Sequence, residues 1–586
     1  MTPPSVLSAI QKFFTFLTFK EKLTWLWIVA FALTTSALEV ITASIIVIFT
    51  QVLNTPETGL KYLAKIGIRT NSSPGRIVFT LAVVVGVVYL IKNLIATAEV
   101  FFQNFSIQKM NYNFKGKLLH RYSRTDYGFY LTRNSSLGTR VVGHDTEIIF
   151  LSGMVAIAII LSEGVIFLSL IGVIIYMNPS LAFTILGIGV GVSVIITKCV
   201  LPWFYQFGQK IQETSVYGNQ NLIQFFHAFK EIVLLGKGEF FINAYQVYSL
   251  KKAKIQAIQS SLNVLPRIVI EILFMGGFVV SIGILCLDQE SPVHMLGMLG
   301  GYLYAGFRLM PGLNRIINQL NIFKSTIPSV ERVHQEYIMM AAKKNYVDVP
   351  EFEFDQDIEI KDLSFRYINA EKNALSSIFL KIKKGEFIGI VGGTGSGKST
   401  LIDLILGLLS PHQGFILVDE KYPVNSYQWH GKIGYVPQSI YLTDDTIEKN
   451  IAFGETVTDK LRLDAVIDTA QLRDFIDSLP EREKTFVGEH GIRLSGGERQ
   501  RISIARALYH SPEVLIFDEA TSALDNETEA RLMETINTVS KDRTVIMIAH
   551  RLTTLKNCSR IVVMEKGKIK EVTKYEKIEN VFNEVR

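Results

Sequence analysis

Residues 387–399 read Phe387-Ile-Gly-Ile-Val-Gly392-Gly-Thr-Gly-Ser-Gly-Lys398-Ser399. An uncharged run of buried-strand character leads directly into G-x-x-x-x-G-K-[ST], the spacing of a phosphate loop set between a strand and a helix. In such a loop Gly392, Gly393, Thr394, Gly395, Ser396 and Gly397 turn backbone N–H groups toward phosphate oxygens. Lys398 reaches the β and γ phosphates, Ser399 ligates Mg²⁺, and Ser399 and Thr400 open a helix whose N-terminus attracts the anion.

Working outward, a second apolar strand, Val514-Leu-Ile-Phe-Asp518, ends in the acids Asp518 and Glu519. Such a strand delivers the first carboxylate to the metal. It brings the second to the γ-phosphate, where that group can orient or deprotonate water. Just ahead of it lies Leu494-Ser495-Gly496-Gly497-Glu498, followed by an apolar-periodic helix. Two glycines and a serine at a helix start make an anion site.

In this order these motifs resemble the ATP-binding cassette (ABC) proteins, and the likeness extends over nearly the whole chain. By that resemblance Tyr367 stacks on adenine, Gln438 is the lid glutamine and a metal contact, and His550 is the γ-phosphate switch. Ser522 and Asp525 lie in the segment that contacts a partner cassette. Leu494 to Glu498 close over the ATP of a second cassette, with Glu498 departing from the commoner glutamine. The short apolar runs and helices after residue 357 have the rhythm of an α/β domain with a mainly parallel sheet.

Upstream the chain changes character. The sequence has 586 residues, 48% hydrophobic and 19% charged, with mean hydropathy +0.27; an ordinary soluble domain carries about 25% charge. Residues 1–330 hold 26 Lys/Arg and 14 Asp/Glu, the remaining 256 hold 34 and 40. A charge-poor, basic half thus precedes a mildly acidic one, which points to membrane followed by soluble domain and gives no case for nucleic acid. Cys199, Cys286 and Cys558 fit neither a disulfide framework nor a metal pattern.

Six runs approach the roughly 20 apolar residues that span a bilayer: Leu23 to Phe49, Ile77 to Phe101, Phe150 to Tyr176, Leu181 to Trp203, Leu265 to Leu287, and Val293 to Ile317. The long connections 102–149 and 204–264 carry 13 Lys/Arg, against four in the external candidates, so they and the N-terminus are expected to be cytoplasmic. Val6, Ile10, Phe13 and Leu17 predict an amphipathic helix at the inner membrane interface. Pro56 to Ile68 reads as a short external helix or a loop. The expected architecture is an interfacial helix over 1–22, an all-α six-span domain over 23–330, a linker over 331–357 and an α/β cassette over 358–586.

Lys92, Lys198, Arg267, Arg308 and Arg315 fall within or at the ends of these spans. At 1.5 Å rise per residue, Lys92, Lys198 and Arg308 lie about 22 to 26 Å below the outer face. Arg267 and Arg315 fall at the cytoplasmic ends. The five form either a positive ring around a cavity for an anionic headgroup or a set of side chains snorkelling to lipid phosphates. Glu271, four residues after Arg267, is its expected helical partner. Glu39, Glu99 and Glu163 are expected to face the bundle interior.

The order of spans and cassette resembles an ABC exporter half-transporter of the inner membrane, completed as a homodimer and using ATP and Mg²⁺. Phe307-Arg-Leu-Met-Pro-Gly-Leu-Asn-Arg-Ile316 and Tyr441-Leu-Thr-Asp-Asp-Thr-Ile447 resemble bacterial flippases for lipid-linked oligosaccharides. That resemblance implies a polyprenyl-diphosphate glycolipid as substrate, with Lys92, Arg267, Arg308 and Arg315 contacting the diphosphate. A multidrug or lipid exporter is the alternative within transporters, and an ATP-gated channel or regulator the alternative outside them.

Overall fold

The computed structural model describes residues 6–54, 74–133, 135–177, 201–287, 292–341, 346–368, 370–520, 526–540, 542–549 and 552–577. Most of the fourth expected span, the segment Pro56 to Ile68, Lys198, Ser522, Asp525, His550 and the side chain of Arg308 lie outside the described residues. The chain divides into two units: one of 1–123 and 134–342, the other of 124–133 and 343–586.

The first unit is helical. Its elements are α1 (Val6–Phe14), α2 (Phe19–Asn54), α3 (Pro74–Tyr122), α5 (Ser135–Arg140), α6 (Val155–Met177), α7 (Leu201–His227), α8 (Phe229–Leu235), α9 (Gly238–Leu287) and α10 (Pro292–Ala341), with α4 (Tyr127–Leu131) grouped in the second unit. Among the described residues four stretches are long and apolar enough to cross a membrane: Phe19–Thr42, Gly75–Tyr122, Leu137–Ser169 and Gly238–Gly276. The sixth expected span is the first half of α10. That helix continues past Pro311 and Pro328 to Ala341, so the first part of the expected linker is helical.

Helix α1 forms as its periodicity predicts, but its apolar face has a protein partner. Ala9 is buried in a cluster with Ala156, Phe323 and Ile327, and the Phe13 ring lies 5.6 Å from Phe150. Phe16 stacks on Phe114 at 4.8 Å. Neighbouring helices thus cover the face carrying Ala9, Phe13 and Phe16, while Leu7 is exposed. A capping box ends the connection, with Thr18 N–H donating to Glu21 Oε2 (2.8 Å) at the start of α2. Between α5 and α6 the backbone widens into two π-helical segments, Val141–Asp145 and Ile148–Met154.

The second unit contains two sheets. The strands Asp357–Phe365, Leu375–Lys383, Gln413–Val418 and Tyr422–Pro423 (β1, β2, β4 and β5) form an antiparallel sheet in the order β2-β1-β4-β5. The strands Phe387–Gly392, Ile433–Val436, Val514–Asp518, Thr544–Ile548, Arg560–Glu565 and Lys568–Thr573 (β3 and β6 to β10) form the other, ordered β10-β9-β3-β8-β7-β6. All its pairings are parallel except β9 with β10. Strands β7 and β8 are fully buried, as continuous apolar runs in a parallel sheet require. Their C-terminal ends, with that of β3, are where open α/β sheets place ligand sites.

The ten residues 124–133 come from the first long connection. Asp126 caps α4 by accepting from Gly128 N–H at 2.9 Å, and Tyr127 packs against the core that includes Leu401, Leu404 and Leu409.

Candidate nucleotide site

The loop after β3 is shaped by close approach. A Cβ on Gly392 would lie 2.3 Å from the Met564 carbonyl oxygen and 2.6 Å from Ser396 Oγ, and Gly397, at φ +102°, would place one 2.7 Å from Leu375. Only glycine fits either position. Helix α11 (Lys398–Ile405) starts immediately afterwards. Lys398 is buried, and its Nζ donates to the carbonyls of Gly392 (2.9 Å) and Gly393 (3.3 Å). Burial lowers the Lys398 pKa, while Glu519 and Asp518 are near enough to oppose that shift. Ser396 Oγ is buried and has no hydrogen-bond partner. Ser399, Thr394 and Gly395 are exposed, and Tyr367 Oη sits 3.1 Å from Thr400 Oγ1.

Asp518 ends β7 opposite Ile548 of β8. Glu519 follows in the left-handed region at φ +50°, strained for a side chain of this kind. Its N–H donates to the Ile548 carbonyl at 3.2 Å, and its carboxylate accepts from Gln438 Nε2. Gln438 and Glu519, expected from the sequence as a lid glutamine and a water-activating glutamate, are thus directly bonded.

The signature segment adopts a full capping box. Ser495 Oγ accepts from Glu498 N–H (3.3 Å) and Glu498 Oε2 accepts from Ser495 N–H (2.7 Å) at the start of α14, our label for Gly496–Leu508, with α12 and α13 denoting Ile447–Ile451 and Lys460–Thr469. The departure from glutamine therefore preserves the cap. Arg506, on the last turn of α14, was missed by motif reading. It donates to the carbonyls of Asn450 (2.7 Å) and Tyr441 (2.8 Å), joining that helix to the segment after Gln438.

Asp403 was also missed, because with Ser399 and Thr400 four and three residues before it on α11 it reads as one more polar residue of that helix. Burial, aided by the negative charge of Asp518, pushes its carboxyl from the ordinary 3.8 to about 6. Tyr435, which donates to Asp518 Oδ2 at 3.4 Å, has its phenol pushed up by the same burial and by that charge. A raised carboxyl pKa means the folded state favours the neutral form. The penalty for ionising Asp403 is fully present above pH 6 and vanishes below about 3.8. The full shift corresponds to about 3 kcal/mol, and discounted for solvent screening at this partly exposed group Asp403→Asn is expected to raise cassette stability at pH 7.5 by roughly 1–2 kcal/mol, a gain that fades toward pH 4 in denaturation series; a gain independent of pH would refute the assignment.

In the helical unit each described basic candidate has a carboxylate partner. Lys92 Nζ lies 2.8 Å from Glu39 Oε2, both side chains are buried, and the ammonium sits 4.7 Å from the Tyr89 ring centroid. Both ends of this pair are thus buried and bonded to each other. Arg267 pairs with Glu271 as expected, at 2.8 Å, with both exposed. Arg315 Nη2 lies 3.0 Å from Glu163 Oε1, and Glu99 accepts from Ser162 Oγ at 3.4 Å. The three acids do face the interior, as partners in polar contacts.

A family model described as "ABC transporter" matches residues 375–522. The leukotoxin translocation ATP-binding protein LktB of Mannheimia glucosida is 46% identical over 228 residues, 39% of this chain and 32% of that protein. The match thus spans about a third of that relative's length. The ATP-dependent lipid A-core flippase of Bordetella avium (strain 197N) is 29% identical over 479 residues, covering 77% of this chain and 75% of that protein. Among solved structures, a bacterial Atm1-family ABC exporter with ATP bound superposes with a TM-score of 0.77 at 23% identity, covering 94% of this chain and 98% of the other.

Proposed function

From a cassette of the ABC transporter family on a chain folded as an ABC exporter, we propose an ATP-driven flippase that moves an anionic amphiphile outward across a cell membrane. The substrate class is a polyprenyl-diphosphate-linked oligosaccharide. The observation that carries the ATPase reading is the convergence of Lys398, Asp518, Glu519 and Gln438 at one end of the parallel sheet. The buried, unpartnered Ser396 Oγ and the glycine-only close packing that shapes the loop at Gly392 and Gly397 fit a phosphate cradle. Ser399, Asp518 and Gln438 would hold Mg²⁺, which when bound neutralises phosphate charge. Glu519 orients the attacking water and accepts its proton. Lys398 leaves its carbonyl partners for the phosphates, exchanging neutral acceptors for charged ones. His550 is assigned the γ-phosphate contact, and Ser522 and Asp525 the contact with a second cassette.

One chain supplies one phosphate loop and one signature, so two complete sites need a second copy, and we read the protein as a homodimer. The tip of the second long connection supports this, since Phe229, Val233, Leu234 and Leu235 of α8 are exposed, an apolar surface suited to a partner. We read the N-terminus and the cassette as cytoplasmic, which the basic charge of the long connections supports.

For the substrate, the support is positional. Arg315 and Arg267 are exposed at the ends of apolar spans, where a charge points to a ligand or pathway. An uncompensated diphosphate in hydrocarbon would face tens of kcal/mol in the Born limit, so it requires such a route, while the lipid tail does not. Neutralising Arg308 and Arg315 together is expected to reduce flipping of a polyprenyl-diphosphate glycolipid in reconstituted vesicles at least about tenfold, the scale for removing charge-assisted contacts. Unimpaired flipping would remove these arginines from the substrate path.

A further inference from the structure

Of the three described basic candidates, each has a carboxylate partner, but the pairs differ in kind. Lys92 and Glu39 are both buried, with side-chain exposures of 9% and 7%, and neither end is open to a ligand. Arg267 and Glu271 are a surface pair within one helix, at 64% and 50%. Arg315 and Glu163 are asymmetric: the guanidinium is half exposed at 50%, the carboxylate only 10%. Their contact joins α10 to α6 through one oxygen. The other, Glu163 Oε2, is buried without a hydrogen-bond partner. Gly312, three residues before Arg315, gives that oxygen room, since a Cβ there would lie 3.1 Å from it.

An arginine and a carboxylate reach full strength as a two-pronged pair. Here one prong is made, with the cation facing outward and the anion held inside. We infer that Glu163 is a resident counter-ion: a diphosphate headgroup displaces it from Arg315 on binding, and its return to Arg315 assists release. The inference rests on the substrate reading above and adds a competitor to it. A diphosphate presents several charged oxygens to the exposed guanidinium and satisfies it more completely than Glu163 does. Displacement leaves Glu163 buried without its cation and near the polar pair Glu99 and Ser162, a state that favours re-pairing once the headgroup departs. The pair therefore neutralises the empty path while keeping Arg315 available, which an uncompensated arginine does not do.

The test is ATPase stimulation of the full-length protein in nanodiscs of zwitterionic lipid, titrated with a polyprenyl diphosphate, with the uncharged polyprenyl alcohol as control. Glu163→Gln is expected to lower the half-stimulating diphosphate concentration roughly five- to tenfold, the scale of a modest coupling between competing ligands. Maximal turnover should fall as release slows, and the alcohol response should not change. Gly312→Ala, which crowds Glu163 Oε2 while keeping both charges, should shift the midpoint about two- to threefold in the same direction, and serves if Glu163→Gln does not fold. A wild-type response with an unchanged or raised midpoint in both variants overturns the counter-ion role alone. No wild-type response to the diphosphate overturns the substrate reading, and the counter-ion role with it.

Discussion

Glu519→Gln is expected to bind ATP with near-normal affinity and to lose steady-state hydrolysis by about three orders of magnitude, or about 4 kcal/mol of barrier. The substitution is nearly isosteric. Gln438 Nε2 now donates to the carboxylate, and an amide oxygen can accept that bond in its place. The backbone reason for the residue's position is untouched too, because the positive φ of +50° is held by the N–H bond to Ile548. What disappears is the group that takes a proton from water. Lys398, Ser399 and the glycine amides, which carry nucleotide binding, are unchanged. Phosphate release in the steady state, set beside equilibrium ATP binding, separates the two effects. Turnover at the wild-type rate would transfer the water-activating role to another residue, and lost binding would mean that Glu519 chiefly supports the loop.

That prediction was within reach of the sequence because the nucleotide site is built from local patterns. A strand, a glycine loop and a helix start are contiguous from 387 to 400, and the Asp518-Glu519 pair closes a single apolar strand. The bond between Gln438 and Glu519 is another matter: it depends on β6 lying beside β7, a register that no short motif encodes. The same limit explains the helical unit. Spans are legible from hydropathy, and Arg267 with Glu271 from helical spacing. Glu39 with Lys92 and Glu163 with Arg315 are meetings of separate helices. Charge position in the sequence therefore left a ring and snorkelling side chains both open, whereas the folded chain brings a carboxylate to each described cation. Helix α1 shows the converse, since its periodicity gave the helix but not whether lipid or protein would cover it. The length of the long connections and the family resemblance lead one to expect short coupling helices set on the cassette, but composition does not single out 124–133, whose Asp126 cap and Tyr127 acquire meaning from the core they join.

Asp145→Ala is expected to destabilise the helical unit by about 3–5 kcal/mol, the range for breaking a buried ion pair from one side. Asp145 closes the π-helical segment Val141–Asp145 and is fully buried. It accepts from Ser329 Oγ at 3.0 Å and Arg332 Nη1 at 3.1 Å, and Arg140 Nε lies 3.6 Å away. Gln212 completes the cluster: its carbonyl accepts from Arg140 Nη1 at 3.0 Å, and its side chain accepts from Arg332 Nη2 at 2.9 Å while donating to Ser329 Oγ. Two guanidinium groups thus share one carboxylate, and removing it leaves a buried Arg140 and a partly buried Arg332 facing each other. Asp145→Asn keeps the shape and part of the hydrogen bonding but not the charge, so it should fall between. Glu271→Ala is the matched control, breaking an exposed pair whose loss is expected to have little effect. Apparent unfolding temperatures of the three variants in one lipid or detergent system give the comparison. The cluster joins the widened turn before α6 to α7 and α10, so a large loss for Asp145→Ala would make this charge the fastening of that turn. A loss no greater than that of Glu271→Ala would show that packing around Phe150 and Met154 holds the turn without it.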